Sequence, residues 1–231
     1  MYHRIVTRLL VLIAGTNNPS NGVLLASAFA EGARSAVNDL TIDTVKLAAL
    51  KIDHFRLEFY DPACTQEEDF CALQHLVEQA DGVVIATPVW NFSVPAHLKN
   101  FIDRMGSFAL DATRSRGTLK GKPFFLIFTG GSPGAAWTGL MRKTVSFLPQ
   151  AIKYFGGSVL GQHYEPRCME GHGRFGLVVD KRPESLARMR EEGTRFARSA
   201  AHYALDGSLP IRHGMMHKAY SLTQRLLAII R

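Results

Sequence analysis

The sequence contains little cysteine: its 231 residues include only Cys64, Cys71 and Cys168, and no CxxC pair. An odd number of widely spaced cysteines does not indicate a disulfide framework. The missing pairs also give a zinc or iron–sulfur site little support, and we predict no metal site. This use of cysteine fits a reduced, cytoplasmic protein.

Long hydrophobic runs are missing too, and no apolar stretch approaches the roughly 20 residues that a membrane-spanning helix needs. Residues 1–15, MYHRIVTRLLVLIAG, place basic residues before an apolar run, as a signal peptide does. A turn rich in Asn follows instead of a small-residue cleavage site. We therefore interpret this run as a first buried strand, and we expect no membrane span.

Blocks of like charge are also missing. The formal net charge is +7, but the cations are scattered along the chain. Scattered charge gives nucleic-acid binding weak support, and we predict no nucleic-acid partner. A basic surface of this kind also attracts small anions such as nucleotides.

What the sequence does contain is an alternation of apolar runs and helical patterns. Continuous apolar runs suit strands that are buried on both faces, and their alternation with helices predicts an α/β fold with a parallel sheet between two helical layers. The predicted strands are 9–14, 41–47, 82–87, 123–129 and 157–162. The predicted helices are 24–37, 94–105 (capped by Ser93, with Pro95 in its first turn), 136–155 and 184–204.

The length suits one large domain with an appendage. We predict a domain over residues 1–206 and a helical extension over 207–231. The extension carries an apolar stripe that we expect to pack against protein. The stripe residues are Met215, Met216, Ala219, Tyr220, Leu226, Leu227 and Ile230.

A loop of small and polar residues, GTNNPSNG (15–22), connects the first strand to the first helix. Ligands of open parallel sheets bind beyond the carboxyl ends of the strands, and helix N-termini hold phosphate well. The loop lacks the Lys of a triphosphate-binding loop and the spacing GxGxxG. Taken alone, it fits a phosphate cradle and a plain capped turn equally well. Its candidate phosphate-binding residues are Thr16, Asn18, Ser20, Asn21 and Gly22.

Two further loops follow the third and fourth strands. In PVWNFS (88–93), Trp90 and Phe92 can flank a flat ring, while Asn91 can hydrogen-bond its edge. In GGSPG (130–134), glycines permit close approach. Together, the three loops suit a phosphorylated, flat, aromatic ligand, and FMN fits. The candidate residues of these two loops are Pro88, Val89, Trp90, Asn91, Phe92, Gly130, Gly131 and Ser132.

Residues 87–104, TPVWNFSVPAHLKNFIDR, resemble the NAD(P)H-dependent FMN reductase family of the flavodoxin-like superfamily. The resemblance covers roughly residues 9–200, and GTNNPSNG is similar to the family's phosphate loop. That loop is one residue shorter here, and Asn18 stands where many members have Arg. The residues that carry the main motif are Pro88, Trp90, Asn91, Ser93, Pro95, Leu98, Lys99, Asn100 and Asp103.

The resemblance implies a flavodoxin-like three-layer fold with five parallel strands in the order 2-1-3-4-5. It implies bound FMN, reduction by NADPH or NADH, and a homodimer or homotetramer with the flavin near a subunit interface. Hydride would pass in a ping-pong mechanism to a small-molecule electron acceptor: a quinone, a flavin, an azo compound or a metal ion. Because a flavin carries the chemistry, we predict no catalytic side chain.

Three other functions stay open. The chain also fits a flavodoxin-type electron carrier, although such carriers are usually acidic, or a redox-responsive FMN-binding regulatory module. Residues 130–134 match the GxSxG of serine hydrolases, with Asp180 and His202 following in order. The residue after Ser132 is Pro133, which has no N–H for an oxyanion hole.

Two further sets of residues, one basic and one of histidines, each allow two interpretations of their function. The basic residues of 113–122 either hold the pyridine-nucleotide phosphates or belong to a solvated loop, as charge clusters usually do. The histidines invite a metal site, but we favour surface or packing roles. The basic residues are Arg114, Arg116, Lys120 and Lys122, and the histidines are His163, His172, His213 and His217.

Overall fold

Strands and helices alternate along the chain in the computed structural model, which describes residues 6–171 and 176–209. The strands are β1 (Thr7–Ile13), β2 (Leu40–Lys46), β3 (Gly82–Pro88), β4 (Pro123–Thr129) and β5 (Ser158–Glu165). The principal helices are α1 (Asn21–Ala36), α2 (Glu68–Gln79), α3 (Ala96–Arg104), α4 (Phe147–Tyr154) and α5 (Pro183–Asp206). Each of the five predicted strands is present.

The five strands form one parallel sheet in the order β2-β1-β3-β4-β5, which confirms the predicted topology. All seven residues of β4 are buried, which explains its unbroken apolar run. Helices α2, α3 and α4 cover one face, where Phe70, Leu98 and Leu148 enter the core. Helices α1 and α5 cover the other face, where Phe29 and Phe196 pack together. The predicted three layers are therefore confirmed.

The first and last described helices pack at very short range. A Cβ on Gly32 of α1 would collide with the carbonyl oxygen of Arg190, and a Cβ on Gly193 of α5 would collide with that of Phe29. Both glycines therefore let the two helix backbones touch. This contact fixes α1, the helix that begins at the phosphate-loop candidate.

Two predictions about helix starts and ends are wrong. Ser93 does not cap α3, because its backbone exchanges hydrogen bonds with Trp90, and the helix begins at Ala96 with Pro95 as its N-cap residue. The predicted helix 136–155 is broken into a π-helical segment, Trp137–Met141, short flanking turns and α4. Pro149 gives the reason, since a proline is tolerated only in the first turn of a helix, and α4 restarts two residues before it.

Arg104 forms the centre of a buried polar cluster next to α2. Its side chain is fully buried between the rings of Phe59 and Phe70, whose centroids lie 3.5 and 4.2 Å from the guanidinium carbon. It donates to Glu67 at 2.6 Å and also bonds Gln66 and the Asp53 carbonyl. The loop between β2 and α2 is therefore attached to α3 by an internal cation.

Asn100 adds to the same attachment, because its amide accepts from Phe55 N–H at 2.8 Å and donates to the Asp53 carbonyl at 3.0 Å. Lys99 and Asp103 form a half-exposed ion pair at 2.6 Å. The Leu-Lys-Asn and Asp part of the motif thus supports the fold, while its first part supplies the loop at the sheet edge.

The basic stretch before β4 lies at the wrong edge of the sheet to meet the predicted ligand. Lys122 is buried, and its ammonium group donates to the carbonyls of Val77 and Glu78 at the end of α2. Burial lowers its pKa to about 8. Arg114 stacks on Tyr60 and also donates to its carbonyl. Residues that precede a parallel strand lie at its amino end, so of the two alternatives for this stretch the contact with nucleotide phosphates has no support from the structure for a ligand at the carboxyl edge.

Several predictions concern residues that the structure does not describe. The apolar stripe of the extension lies at 215–230, outside the described ranges, as do His172, His213 and His217. Helix α5 ends with Gly207 as its C-cap residue, whose φ of +62° is left-handed.

Within residues 6–171 and 176–209, every helix is too short or too polar to cross a bilayer.

Candidate functional site

The carboxyl ends of β1, β3 and β4 meet around a cleft, which we call the inner cleft. The three predicted loops converge there, as the rule for open parallel sheets requires. The predicted residues that line it are Ser20, Asn21, Gly22, Pro88, Val89, Trp90, Gly130 and Gly131. Thr16 and Asn18 do not line it, and Gly15, Asn17 and Cys168 line it without having been predicted.

A shallower outer basin adjoins the inner cleft and shares Val89, Trp90 and Gly131 with it. The predicted residues Asn91, Phe92 and Ser132 line this basin rather than the cleft. Two methionines complete it: Met141 from the π-helical segment and Met169 from the chain after β5. The site therefore has a narrower inner part of mixed polar and apolar lining and an open, mostly apolar outer part.

The start of α1 forms one wall of the inner cleft. Ser20 is the N-cap residue, and its Oγ accepts from the Val23 N–H at 3.3 Å. A Cβ on Gly15 or Gly22 would make only ordinary contacts, at 3.6 Å or more. Internal packing therefore does not require glycine at these positions, although both line the cleft. Unpaired first-turn N–H groups and glycines suit the close approach of an anion.

The side chain of Asn21 makes contacts within the protein that the sequence did not predict. Its Nδ2 donates to the Gly176 carbonyl at 2.8 Å, and its Oδ1 accepts from the N–H groups of Val178 and Val179. These three hydrogen bonds use both acceptor positions of Oδ1 and one of the two Nδ2 hydrogens, and they hold the chain before α5 against the start of α1. Asn21 therefore helps to shape the cleft wall that it lines.

The aromatic loop is a tight two-residue turn. Trp90 and Ser93 exchange backbone hydrogen bonds of 2.8 and 2.9 Å, while Asn91 and Phe92 have φ values of 48° and 64°. Left-handed backbone is common for Asn and costly for an aromatic residue. Phe92 is nevertheless 57% exposed in this conformation. Strained backbone conformations are frequent at binding sites, and here the conformation exposes the Phe92 ring to the outer basin.

The glycine loop after β4 is clamped against the chain after β5. The Gly130 carbonyl accepts from the Cys168 N–H at 2.9 Å, and the Ser132 carbonyl accepts from the Tyr164 hydroxyl at 3.0 Å. A Cβ on Gly130 would lie 2.6 Å from the Tyr164 oxygen, and one on Gly131 would overlap the sulfur of Met169. A side chain at either position would therefore displace Tyr164 or Met169 from its place against the glycine loop.

The positions of Ser132 and His202 do not support the serine hydrolase alternative. His202 bonds the Ser208 carbonyl at 3.1 Å and lies 3.4 Å from Asp206. It stands near the end of α5, roughly 30 Å along the helix from its start at the cleft edge. Ser132 therefore has no access to this histidine as a base.

A buried carboxylate braces the back of the site. Glu165 is 3% exposed and accepts from Arg182 at 2.7 Å, His163 at 3.0 Å and Ser185 at 3.1 Å. Burial raises the pKa of this carboxyl, but the three hydrogen bonds outweigh it and hold the pKa below 4.5. Arg182 also donates to the Pro166 carbonyl, so the chain that leads to Cys168 is fixed from behind.

Replacing Glu165 with Gln is expected to lower the free energy of unfolding by about 2 kcal/mol at pH 7, because charge-assisted bonds are lost. The folded pKa lies below the unfolded one, so the carboxylate's contribution is complete above about pH 4.5 and is lost as the pH falls through the folded pKa. Urea unfolding of both proteins between pH 3 and 7 measures the difference. The control is Glu31→Gln, which removes an exposed ion pair with Arg190. It is expected to lower the free energy of unfolding by less than about 0.5 kcal/mol. A pH-independent difference for Glu165→Gln would contradict this account.

Cys168 contributes a neutral thiol to the inner cleft. It is 7% exposed, and its Sγ donates to the Glu165 carbonyl at 3.4 Å. Burial, together with the nearby Glu165, raises the pKa of this thiol to about 11. No sequence pattern identifies this residue, because its place in the cleft depends on the hydrogen bonds between the loops after β4 and β5.

In the described part of the chain, no group of three or more His, Cys, Asp or Glu residues is arranged to hold a metal ion.

The sheet order and the three converging loops define a flavodoxin-like α/β protein with a ligand cleft at the carboxyl edge. Residues 7–164 match the sequence profile of the NADPH-dependent FMN reductase family. Because the match spans more than half of the chain, the protein belongs to this family. The resemblance found in residues 87–104 is thereby confirmed.

Curated relatives match the chain to different extents. A quinone reductase of Escherichia coli (strain K12) is 35% identical over 161 residues, which are 64% of this chain and 82% of that protein. An FMN-dependent NADH:quinone oxidoreductase of Shewanella sp. (strain W3-18-1) is 39% identical over 80 residues, 33% of this chain and 39% of that protein. An iron–sulfur flavoprotein of Archaeoglobus fulgidus is 33% identical over 93 residues, 40% of this chain. The matched segments span less than two fifths of the Shewanella and Archaeoglobus proteins.

Solved structures share the fold. An NAD(P)H:quinone oxidoreductase from Methanothermobacter marburgensis aligns with a TM-score of 0.63 at 18% identity, covering 82% of this chain and 96% of that one. An FMN-dependent NADH-azoreductase from Bacillus anthracis, solved in complex with FMN, aligns with a TM-score of 0.61 at 15% identity, covering 83% of this chain and all of that one. At these identities the likeness is one of fold.

Proposed function

We propose that this protein is an FMN-dependent NAD(P)H oxidoreductase that reduces a small acceptor of the quinone type. The observation that carries the proposal is the inner cleft, where a helix N-terminus, an aromatic turn and a glycine loop converge. Family membership and the quinone reductases among the relatives support the same activity.

The chemical groups that line the inner cleft suit the phosphate and the flat ring of FMN. Unpaired N–H groups at the start of α1, together with the Ser20 hydroxyl, would hold the phosphate. Space beside Gly15 and Gly22 that a Cβ would fill would admit the ligand. Trp90 and the backbone of Gly130 and Gly131 would border the flat ring. When bound, FMN supplies the hydride chemistry, accepting two electrons and a proton equivalent from NAD(P)H and passing them on.

The protein's own contribution to the reaction is positioning and electrostatics. Backbone N–H groups near Asn91 and Gly131 would stabilise negative charge on the ring, because preorganised donors act without reorganisation. The glycine loop is fixed by Tyr164 and Cys168, so these donors are held rigidly. The neutral thiol of Cys168 would border the ring without adding a charge.

The outer basin would receive the nicotinamide and then the acceptor in turn, which is a ping-pong mechanism. Its apolar lining of Trp90, Phe92, Met141 and Met169 suits flat aromatic molecules such as quinones, flavins and azo compounds, and metal ions are a further acceptor class. A homodimer or homotetramer would cover the exposed Phe92. The three free cysteines support a cytoplasmic location.

The test is an absorbance spectrum of the purified protein after FMN is added and free flavin is removed, followed by anaerobic addition of NADPH. Retained flavin that is bleached by NADPH, or by NADH, and reoxidised by a benzoquinone is the expected result. Flavin that is retained but bleached by neither would support the carrier or regulatory alternatives. Absence of retained flavin at high concentration would contradict the proposal.

A further inference from the structure

The inner cleft and the outer basin lack a cation of their own. Among the described residues that line them, none is Lys or Arg. NAD(P)H, however, carries a pyrophosphate, and NADPH a further phosphate. A nucleotide whose nicotinamide enters the outer basin would therefore need a positive charge at the rim, since phosphates are recognised by charge-assisted hydrogen bonds.

Arg167 stands at that rim. Its N–H donates to the carbonyl of Ser132, a residue of the outer basin, at 3.1 Å. The next residue, Cys168, lines the inner cleft. The chain thus passes between the two parts of the site at this arginine.

The backbone of Arg167 is also held from the other side. The guanidinium of Arg182 donates to its carbonyl at 3.0 Å, and Arg182 is itself anchored by the buried Glu165. Arg167 adopts a left-handed conformation with φ of 51°, which is uncommon for a long side chain. Such a position persists when its surroundings determine it, as the two hydrogen bonds do here.

The side chain of Arg167 is exposed, and it has no hydrogen bond or ion pair with any residue in the described ranges. The neighbouring carboxylate of Glu170 lies 3.8 Å from the ammonium group of Lys181 and so has its own cation. Arg142, next to the basin residue Met141, is engaged by the Gln162 side chain in the amide orientation that satisfies both groups. Arg167 is thus a fixed backbone position whose guanidinium is not engaged by any of the residues that the structure describes.

We infer that Arg167 binds the phosphates of the pyridine nucleotide while its nicotinamide occupies the outer basin. The inference rests on the proposed function and names the residue that anchors the reductant. It gives the phosphate-binding role to the carboxyl edge of the sheet, in place of the basic stretch before β4. The guanidinium suits this role because its planar donors match phosphate oxygens in pairs.

The experiment is calorimetric titration of the full chain, with FMN added, with NADP⁺ and with adenosine 2′,5′-bisphosphate. Arg167→Gln is expected to weaken NADP⁺ binding by about ten- to a hundredfold, the range for a hydrogen bond to a charged group. Arg167→Lys is expected to recover part of the loss. Two control variants are expected to leave binding unchanged. Arg198→Gln removes an exposed charge from the far half of α5, and Lys143→Gln removes one that lies two residues after the basin residue Met141.

Stopped-flow reduction by NADPH separates binding from hydride transfer. The apparent dissociation constant is expected to rise in Arg167→Gln, while the limiting rate and FMN affinity remain those of the wild type. Wild-type NADP⁺ affinity in Arg167→Gln, an equal loss in Lys143→Gln, or a loss confined to reoxidation by an anionic acceptor would each overturn the inference. Failure of the proposed function would show separately, as bound flavin that neither nucleotide bleaches. If the wild-type chain binds neither titrant, the inference is overturned whether or not flavin is bound.

Discussion

Replacing Ser20 with Asp is expected to weaken FMN binding by about a hundredfold to a thousandfold and to leave the free energy of unfolding within about 0.5 kcal/mol of the wild type. Ser20 caps α1 through its Oγ, and Asp is an equally good N-cap residue. The same substitution places a carboxylate at the helix start, where the phosphate is proposed to bind. Two like charges about 4 Å apart in a partly buried site repel each other by a few kcal/mol.

This variant distinguishes the two interpretations of GTNNPSNG, a plain capped turn and a phosphate-binding loop. A plain capped turn tolerates Asp, whereas a phosphate cradle does not. The matched control is Ser20→Asn, which caps the helix without a charge and is expected to retain FMN within about tenfold. Flavin fluorescence quenching gives the affinity, and urea unfolding of the flavin-free protein gives the stability. Equal FMN affinity in the Asp and Asn variants would place the phosphate elsewhere.

Replacing Arg104 with Met is expected to cost about 3–5 kcal/mol of folding free energy, the usual effect of removing one partner from a buried ion pair. Methionine keeps an apolar stem between Phe59 and Phe70, so the loss reports on the polar partners. Without the guanidinium, Glu67 loses its cation and keeps only the hydrogen bond from the Asp53 N–H, while the Asp53 carbonyl keeps the Asn100 amide as donor. The hydrogen bond from Arg104 also lowers the pKa of Glu67, so part of the loss is expected to disappear as the pH falls below 4.5.

Helix α3 supplies the control for this experiment. Lys99→Met removes the cation of a half-exposed ion pair with Asp103, and its expected cost is below about 0.5 kcal/mol. Urea unfolding at pH 7 and at pH 4 measures both variants. The flavin bound per folded molecule is expected to stay constant, because Arg104 lies outside the cleft. Equal costs for the two variants would show that the buried cluster contributes no more than a surface pair.

The sheet and the position of the site follow from short-range signals in the sequence. The unbroken apolar runs of β3 and β4 require burial on both faces, and this requirement fixes them as central strands. The rule that ligands bind at the carboxyl ends of parallel strands then brings three loops together without any knowledge of distances. The family motif adds the strand order, which no local pattern contains.

What the sequence could not show depends on contacts between distant residues. Cys168 and Met169 reach the site only because the chain after β5 is clamped to the glycine loop. The Asn21 amide was predicted to face a ligand, yet it binds residues 155 positions away or more. Charge alone left the basic stretch before β4 with two alternatives, phosphate binding or a solvated loop, and the first has no support because a segment that precedes a parallel strand lies at the opposite edge.

The close packing of α1 against α5 joins the two ends of the described chain, and it has a consequence for synthesis. The ribosome delivers α1 first, but the backbone that seats Gly32 belongs to residues near Arg190. Asn21 likewise finds its partners only after residue 179 has emerged. The cradle at the start of α1 therefore cannot be completed on the nascent chain until nearly the whole domain has left the exit tunnel, and a truncated product that keeps all five strands would lack a finished site.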